Sequence, residues 1–210
     1  MDLSTRSPVK WLDGLRKRKD MGFLSTEMTP RWFFLDFYVY PPLVLLGLVL
    51  AFDDADLARA ALSVLLVLGG LVVWTLAEYL IHRFAFHHVP LVMDAHLEHH
   101  AEPEGLHGSP TLVTVAVFLV GAFLPLWWAF SLATAGALTA GLMLGYLAYV
   151  GVHYLVHHPS LLGTGEAGSR ARKALRGLIR AHAVHHHQIG FNFGVTTMFW
   201  DRVFGTLHKR

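Results

Sequence analysis

The chain has 210 residues, of which 54% are hydrophobic and 15% charged, with a mean hydropathy of +0.45: one domain's worth of sequence, too apolar for an ordinary soluble domain. Its formal net charge is only +2, and without cysteine it can build no disulfide, thiolate metal cluster or iron–sulfur centre of its own. The composition points to an all-α integral membrane protein.

Residues 1–32 are polar and carry seven Lys or Arg, including the run Arg16 to Lys19. No apolar segment follows that run directly, which argues against a cleaved signal peptide. The run is too short for a nucleic-acid partner, and a cytoplasmic tail near anionic head groups is expected. A first membrane span is expected from Leu35 to Phe52, with Asp36 near its start. Pro41 and Pro42 inside it would kink the helix and leave it partly interfacial. A short acidic loop from Asp53 to Arg59 leads to a second, uncharged span, Ala60 to Ala77, which runs into Glu78 and His82.

The stretch Glu78 to His100 reads EYLIHRFAFHHVPLVMDAHLEHH, and all fifteen histidines of the chain lie at or beyond position 82. His82 and His87 are five residues apart, which on an α-helix leaves their side chains ~140° apart, so a helix end or distortion is expected between them. His96, His99 and His100 share a helix face, as do His182, His185 and His186, and each set is expected to aim up to three imidazoles at one point. Glu78, one turn before His82, has two readings. Either it accepts a hydrogen bond from the distal nitrogen of a ligand histidine, or it snorkels or pairs with Arg83. Asp94 and Glu98 flank the second cluster and could accept in the same way; Glu98 reads equally well as a solvated charge.

No Asp, Glu, Lys or Arg occurs from Gly105 to Gly165. At ~20 residues per span, Thr111 to Val152 makes a membrane hairpin, expected to turn near Ser131 to Gly136. Gly141 and Gly145 form a GxxxG pattern suited to close helix packing. A hairpin returns the chain to the side it left, so His153 and His157 should meet the earlier histidines on one membrane face. After a flexible linker over 159–169, a basic amphipathic helix is expected over 170–187. Its Arg172, Arg176 and Arg180 recur every four residues, and Leu175, Leu178 and Ile179 lead into His182, His185 and His186. Such a helix would lie on the membrane surface with its apolar side towards lipid. The aromatic tail FNFGVTTMFWDRVFGT would pack over the site.

One membrane domain is therefore expected: a tail over 1–32, membrane helices and the first histidine loops over 33–158, and a helical cap over 159–210. Lys and Arg number seven in the tail, one in Glu78 to Pro110 and eight after the last span, against Arg59 alone on the opposite side. The positive-inside rule then puts both termini, the cap and the histidines in the cytoplasm.

Imidazole is the commonest protein ligand for transition metals. The candidates in register are His82, His87, His96, His99, His100, His153, His157, His182, His185 and His186. That number exceeds what one tetrahedral or octahedral ion can use, so two adjacent metals are expected. Burying these rings without metal would cost ~1–3 kcal/mol for each nitrogen left unsatisfied. His88, His107, His158, His187 and His208 read as ordinary structural or surface histidines.

The motifs EYLIHRFAFH, HLEHH, HYLVHH, HAVHHH and NFGVTTMFWDRVFGT, spread over Glu78 to Thr206, resemble the fatty acid hydroxylase and sterol desaturase superfamily of membrane di-iron oxygenases, and most of all its fatty acid 2-hydroxylases. The resemblance implies two iron ions, O2 as co-substrate, a membrane lipid or acyl substrate and hydroxylation of its chain. Zinc can replace iron in purified protein. The haem domain fused at the start of some eukaryotic members has no counterpart in this sequence, so an external electron donor protein is implied. Tyr79, Arg83, Asn192 and Trp200 would contact the acyl groove or head group, and Asp201 would support them. The alternatives are a sterol, carotenoid or other lipid hydroxylase or desaturase of the same superfamily, and a membrane protein that binds or transports metal.

Overall fold

The computed structural model describes residues 28–53 and 55–208; the run Arg16 to Lys19 lies outside them. The architecture is all-α. Helices α1 (Pro30–Phe33) and α2 (Asp36–Phe52) form the first span, and α3 (Leu57–Leu80) continues through a π-helical turn (Ile81–Phe86) as the second. Helix α4 (Pro90–Ala101) follows. Helices α5 (Thr111–Phe118) and α6 (Leu124–Ala129), joined by a π turn (Leu119–Phe123), make the third span, and α7 (Leu132–His157) the fourth. A 3-10 turn (Pro159–Leu162) leads to α8 (Glu166–His187), and α9 (Phe199–Val203) closes the chain.

Four helical segments are thus long and apolar enough to cross a membrane. The first starts earlier than expected, and α2 runs through Pro41 and Pro42. The second extends nine residues past Ala77, carrying Glu78, Tyr79, His82 and Arg83 on one continuous helix. Asp56 starts it, its carboxylate accepting from the Arg59 backbone N–H at 2.8 Å. The hairpin turn is tighter than expected. Ser131 accepts from the Thr134 N–H at 3.1 Å, so residues 132–136 already belong to α7. The expected linker over 159–169 is partly helical as well.

Helix α7 is the hub, packed against α2 and α3. Its buried face is lined by Ala135, Gly136, Ala137, Thr139, Ala140 and Gly141, small enough to let backbones touch. A Cβ on Gly141 would collide with the Val67 carbonyl, and one on Gly70 with the Leu138 carbonyl. Outward, Leu45, Leu65, Val72, Val117 and Trp128 are exposed, as a lipid-facing surface requires. Helix α8 exposes Arg170, Lys173, Arg176 and Arg180, while Arg172, Leu175, Leu178 and Ile179 are half-buried.

This packing makes Gly141→Val a severe change: overpacking of ~1–3 kcal/mol or more is expected, read as a lower melting temperature in detergent. Gly121→Val, whose Cβ meets open space, should melt near the parent.

Candidate metal centre

The end of the second span solves the geometric problem posed by His82 and His87. The π turn uses i→i+5 bonding, which brings residues five apart towards one face. The two rings stack at 5.4 Å with 17° between their planes.

Helices α4 and α8, which together cap the histidine end of the bundle, correct the expectation that each cluster converges on one point. Residues i and i+4 lie ~40° apart round a helix, while i+3 lies ~60° to the other side. Accordingly His96 and His100 of α4 join His82, His87 and His185 in one group, and His182 and His186 of α8 join His99 and His157 in a second. Within each group the candidate ligand atoms lie within 4.8 Å of one another. His153 sits at the edge of the second, its Nε2 3.1 Å from that of His182. Each set thus takes two histidines from a membrane helix, two from one cap helix and one from the other, with the cap helices exchanging roles.

Nε2–Nε2 distances in the first group are 3.0 Å for His82–His96 and His96–His100, and 3.3 Å for His87–His185. In the second, His182 Nε2 lies 2.8 Å from His157 and 3.1 Å from His186. Metal–imidazole bonds of ~2.0–2.1 Å put neighbouring ligand nitrogens ~3 Å apart at right angles, so the spacing fits shared cations. Proton bookkeeping agrees. The Nδ1 of His82 donates to the Phe193 carbonyl, and that of His185 to the Phe191 carbonyl at 2.8 Å, leaving each neutral ring's Nε2 as a bare lone pair. His182 Nε2 faces three other Nε2 atoms, more than any one proton can serve.

Burial first, and repulsion between neighbouring imidazolium charges second, holds His96, His99 and His182 far below the ordinary imidazole range. His100 is pushed down to about 2, and His87, His185 and His186 to about 4, with burial the leading cause in each. Neutral imidazole is the form that binds metal.

The carboxylates serve the tail. Glu78 is 4% exposed and meets neither expectation: it accepts from the Val195 N–H (2.6 Å), the Thr196 N–H (2.9 Å) and the Thr196 hydroxyl (2.5 Å). Asp201, fully buried, accepts from the Phe193 N–H (2.8 Å), the Gly194 N–H (2.9 Å) and the Thr206 hydroxyl (2.7 Å). Two carboxylates therefore fix the loop whose carbonyls orient His82 and His185. Tyr79 and Asn192 are likewise occupied. The Tyr79 hydroxyl receives the Arg83 guanidinium at 2.8 Å and lies 3.0 Å from the Thr206 hydroxyl. Asn192, at φ 55°, donates to the Ala181 carbonyl and accepts from the His208 N–H. Trp200 donates to Thr75 at 3.0 Å. Asp94 and Glu98 are half-buried on α4.

Arg83, besides its bond to Tyr79, faces a cavity of ≈ 260 Å³ that it lines with His87, His88, Met93, Leu97, Ile189 and Phe193. Of the histidines read as structural, His88 and His187 are exposed, His158 Nδ1 lies 3.0 Å from the Tyr154 carbonyl, and His208 packs edge-on against Phe191. His107 departs from that reading: its ring is 5.8 Å from that of His99, and among the described residues its buried nitrogens have no partner.

The sequence profile described as Fatty acid hydroxylase matches residues 67–206. The dihydroceramide fatty acyl 2-hydroxylase of Arabidopsis thaliana is 34% identical over 68% of this chain and 60% of its own length. The fatty acid 2-hydroxylase of Rattus norvegicus is 39% identical over 66% and 38%. The ceramide very long chain fatty acid hydroxylase of Saccharomyces cerevisiae is 36% identical over 65% and 36%. The chain therefore spans less than two thirds of these relatives. The visible hydroxylase domain of full-length scs7p superposes with a TM-score of 0.70 at 26% identity, covering 88% of this chain and 68% of that one.

Two outcomes follow for purified protein. Metal-free protein should lose stability as pH falls from about 6.5 towards 4, because the unfolded chain takes up protons that the buried rings refuse; melting curves between pH 8 and 5 check this. Asp201→Asn leaves every imidazole in place but loosens the loop behind His82, so ~10–100-fold weaker metal retention is expected in chelator competition.

Proposed function

The chain belongs to the fatty acid hydroxylase family, and we propose that it is an O2-dependent dimetal hydroxylase of a lipid acyl chain. The observation that carries this reading is the pair of adjacent all-imidazole groups at the end of an apolar helical bundle. Two iron ions would be held by His82, His87, His96, His100 and His185 on one side, and by His99, His153, His157, His182 and His186 on the other. Iron so bound supplies the redox chemistry with O2 that places oxygen on an unactivated C–H bond. Neutral imidazoles bind it without adding negative charge, and the Phe193 ring, against His82, His87 and His185, keeps water from the first group.

The relatives are named for fatty acid, ceramide and dihydroceramide acyl groups, and the Arabidopsis and rat proteins for attack at the 2-position. The Arg83 cavity supports the same choice here. It is apolar apart from one guanidinium and two imidazoles, the complement of an acyl chain's oxygen-bearing end, and His87 forms one of its walls. A carboxylate or carbonyl held by Arg83 would bring the carbon beside it, rather than mid-chain carbons, nearest the first group.

A separate donor protein is the source of electrons in this reading, since the chain has no cysteine for an iron–sulfur cluster of its own. The distribution of Lys and Arg supports a cytoplasmic location for the termini, for the cap over 159–210 and for the metal groups, with residues 33–158 in and at the membrane.

Mass spectrometry of lipids from cells expressing the parent or His99→Ala should show a lipid gaining one oxygen with the parent only. A lipid losing two hydrogens instead would make the protein a desaturase, and equal product from both would overturn the dimetal reading. Arg83→Gln should raise KM for a free fatty acid ~10–100-fold, the size of a lost charge-assisted hydrogen bond, with a smaller change in kcat.

A further inference from the structure

Four oxidisable rings, Tyr40, Trp74, Tyr146 and Tyr149, pack together inside the helical bundle. Tyr149 stacks on His153 at 5.6 Å with 13° between planes. Among the described residues it is the only tyrosine or tryptophan whose ring contacts any of the ten candidate imidazoles. Trp74 lies 6.2 Å from Tyr149 and 5.4 Å from Tyr146, and Tyr40 lies 4.9 Å from Tyr146. At the far end the Tyr146 hydroxyl donates to Asp36 Oδ2 at 2.5 Å.

That carboxyl group is the second observation. Asp36 is 4% exposed inside the first span, and its Oδ1 has no hydrogen-bond partner among the described residues. A carboxylate in an apolar span is costly and marks function more often than packing. Phenylalanine at 146 with an apolar residue at 36 would fill the same space more cheaply. A phenol hydrogen-bonded to a buried base is instead the arrangement that lets a tyrosine lose an electron, because its proton has somewhere to go.

We propose that Tyr149, Trp74 and Tyr146 form an electron-transfer route that discharges the metal centre when oxygen has been activated but no C–H bond is presented. The inference rests on the oxygenase reading above. One electron at a time would pass from Tyr146 through Trp74 and Tyr149 to the site held by the histidines, each removing one of the two oxidising equivalents that hydroxylation would otherwise use. The Tyr146 phenolic proton moves to Asp36 Oδ2, leaving a neutral tyrosyl radical beside a carboxylic acid. Reduction of that radical by the electron donor, with return of the proton, restores Tyr146 and Asp36 for the second electron. The imidazoles are thereby spared oxidation, and Trp74, whose Nε1–H is buried without a partner among the described residues, relays charge without losing its proton.

The test is electron paramagnetic resonance on ferrous-loaded protein mixed with O2 in the absence of acyl substrate and freeze-quenched. A tyrosyl radical is expected, with hyperfine structure that collapses in protein grown on ring-deuterated tyrosine. Tyr146→Phe should abolish it. Tyr149→Phe and Trp74→Phe should lower its yield several-fold, while peptide mass spectrometry shows more oxidised histidine in the two groups. Iron content and melting temperature identify any variant that fails to fold; Tyr149→Phe and Trp74→Phe, which leave the Asp36 hydrogen bond intact, carry the test if Tyr146→Phe is lost. Unchanged radical yield in the folded variants would overturn the route, as would no radical from parent protein that hydroxylates acyl substrate in the same preparation. Absence of both radical and hydroxylation would bring down the oxygenase reading as well.

Discussion

Imidazole nitrogens lying 2.8–3.3 Å apart in a buried setting are the constraint on which the rest of the structure depends. Neutral rings so placed point more lone pairs at one another than there are protons to share, and protonated rings would repel. Either state is costly without a cation between them. A cation would turn the same geometry into a favourable one and would couple the folding of α4 and α8 to metal binding. The helices α4 and α8 each reach into both groups, which makes the two sites one structural unit. Losing metal from either would release a helix that the other also needs.

The rings must also be held in the correct tautomer, and that work falls to the tail. Phe191 and Phe193 offer carbonyls to His185 and His82. Their loop is anchored by two carboxylates whose partners are mostly backbone N–H groups. Burying Glu78 and Asp201 is tolerable because each accepts three hydrogen bonds, enough to replace much of the lost hydration. Tyr79 and Asn192 complete the clamp, so residues that resemble substrate contacts in the sequence are taken up in shaping the site. Arg83 alone of that set lines the cavity beside His87.

Below the site, the small-residue face of α7 draws α2 and α3 close enough that the aromatic rings between them form one contiguous cluster. The same close approach places Tyr149 against His153 and Tyr146 against Asp36. Packing in the bundle and the placement of the histidines are therefore linked through α7, which ends in His153 and His157.

The sequence by itself determined the all-helical membrane class, the four apolar segments and the histidines in helical register, because hydropathy and i,i+4 spacing are local properties that a single helix must obey. The distortion between His82 and His87 was legible for the same reason: an undistorted α-helix could not bring those two rings together. Only the tertiary structure decided that His99 and His185 leave their own clusters for the opposite group, since that depends on where each cap helix lies. It also decided the roles of Glu78, Tyr79 and Asn192, whose partners include groups more than a hundred positions away for the first two. The carbonyls of Phe191 and Phe193 were beyond reach altogether. Every residue carries the same carbonyl group, and only folding determines which ones face an imidazole.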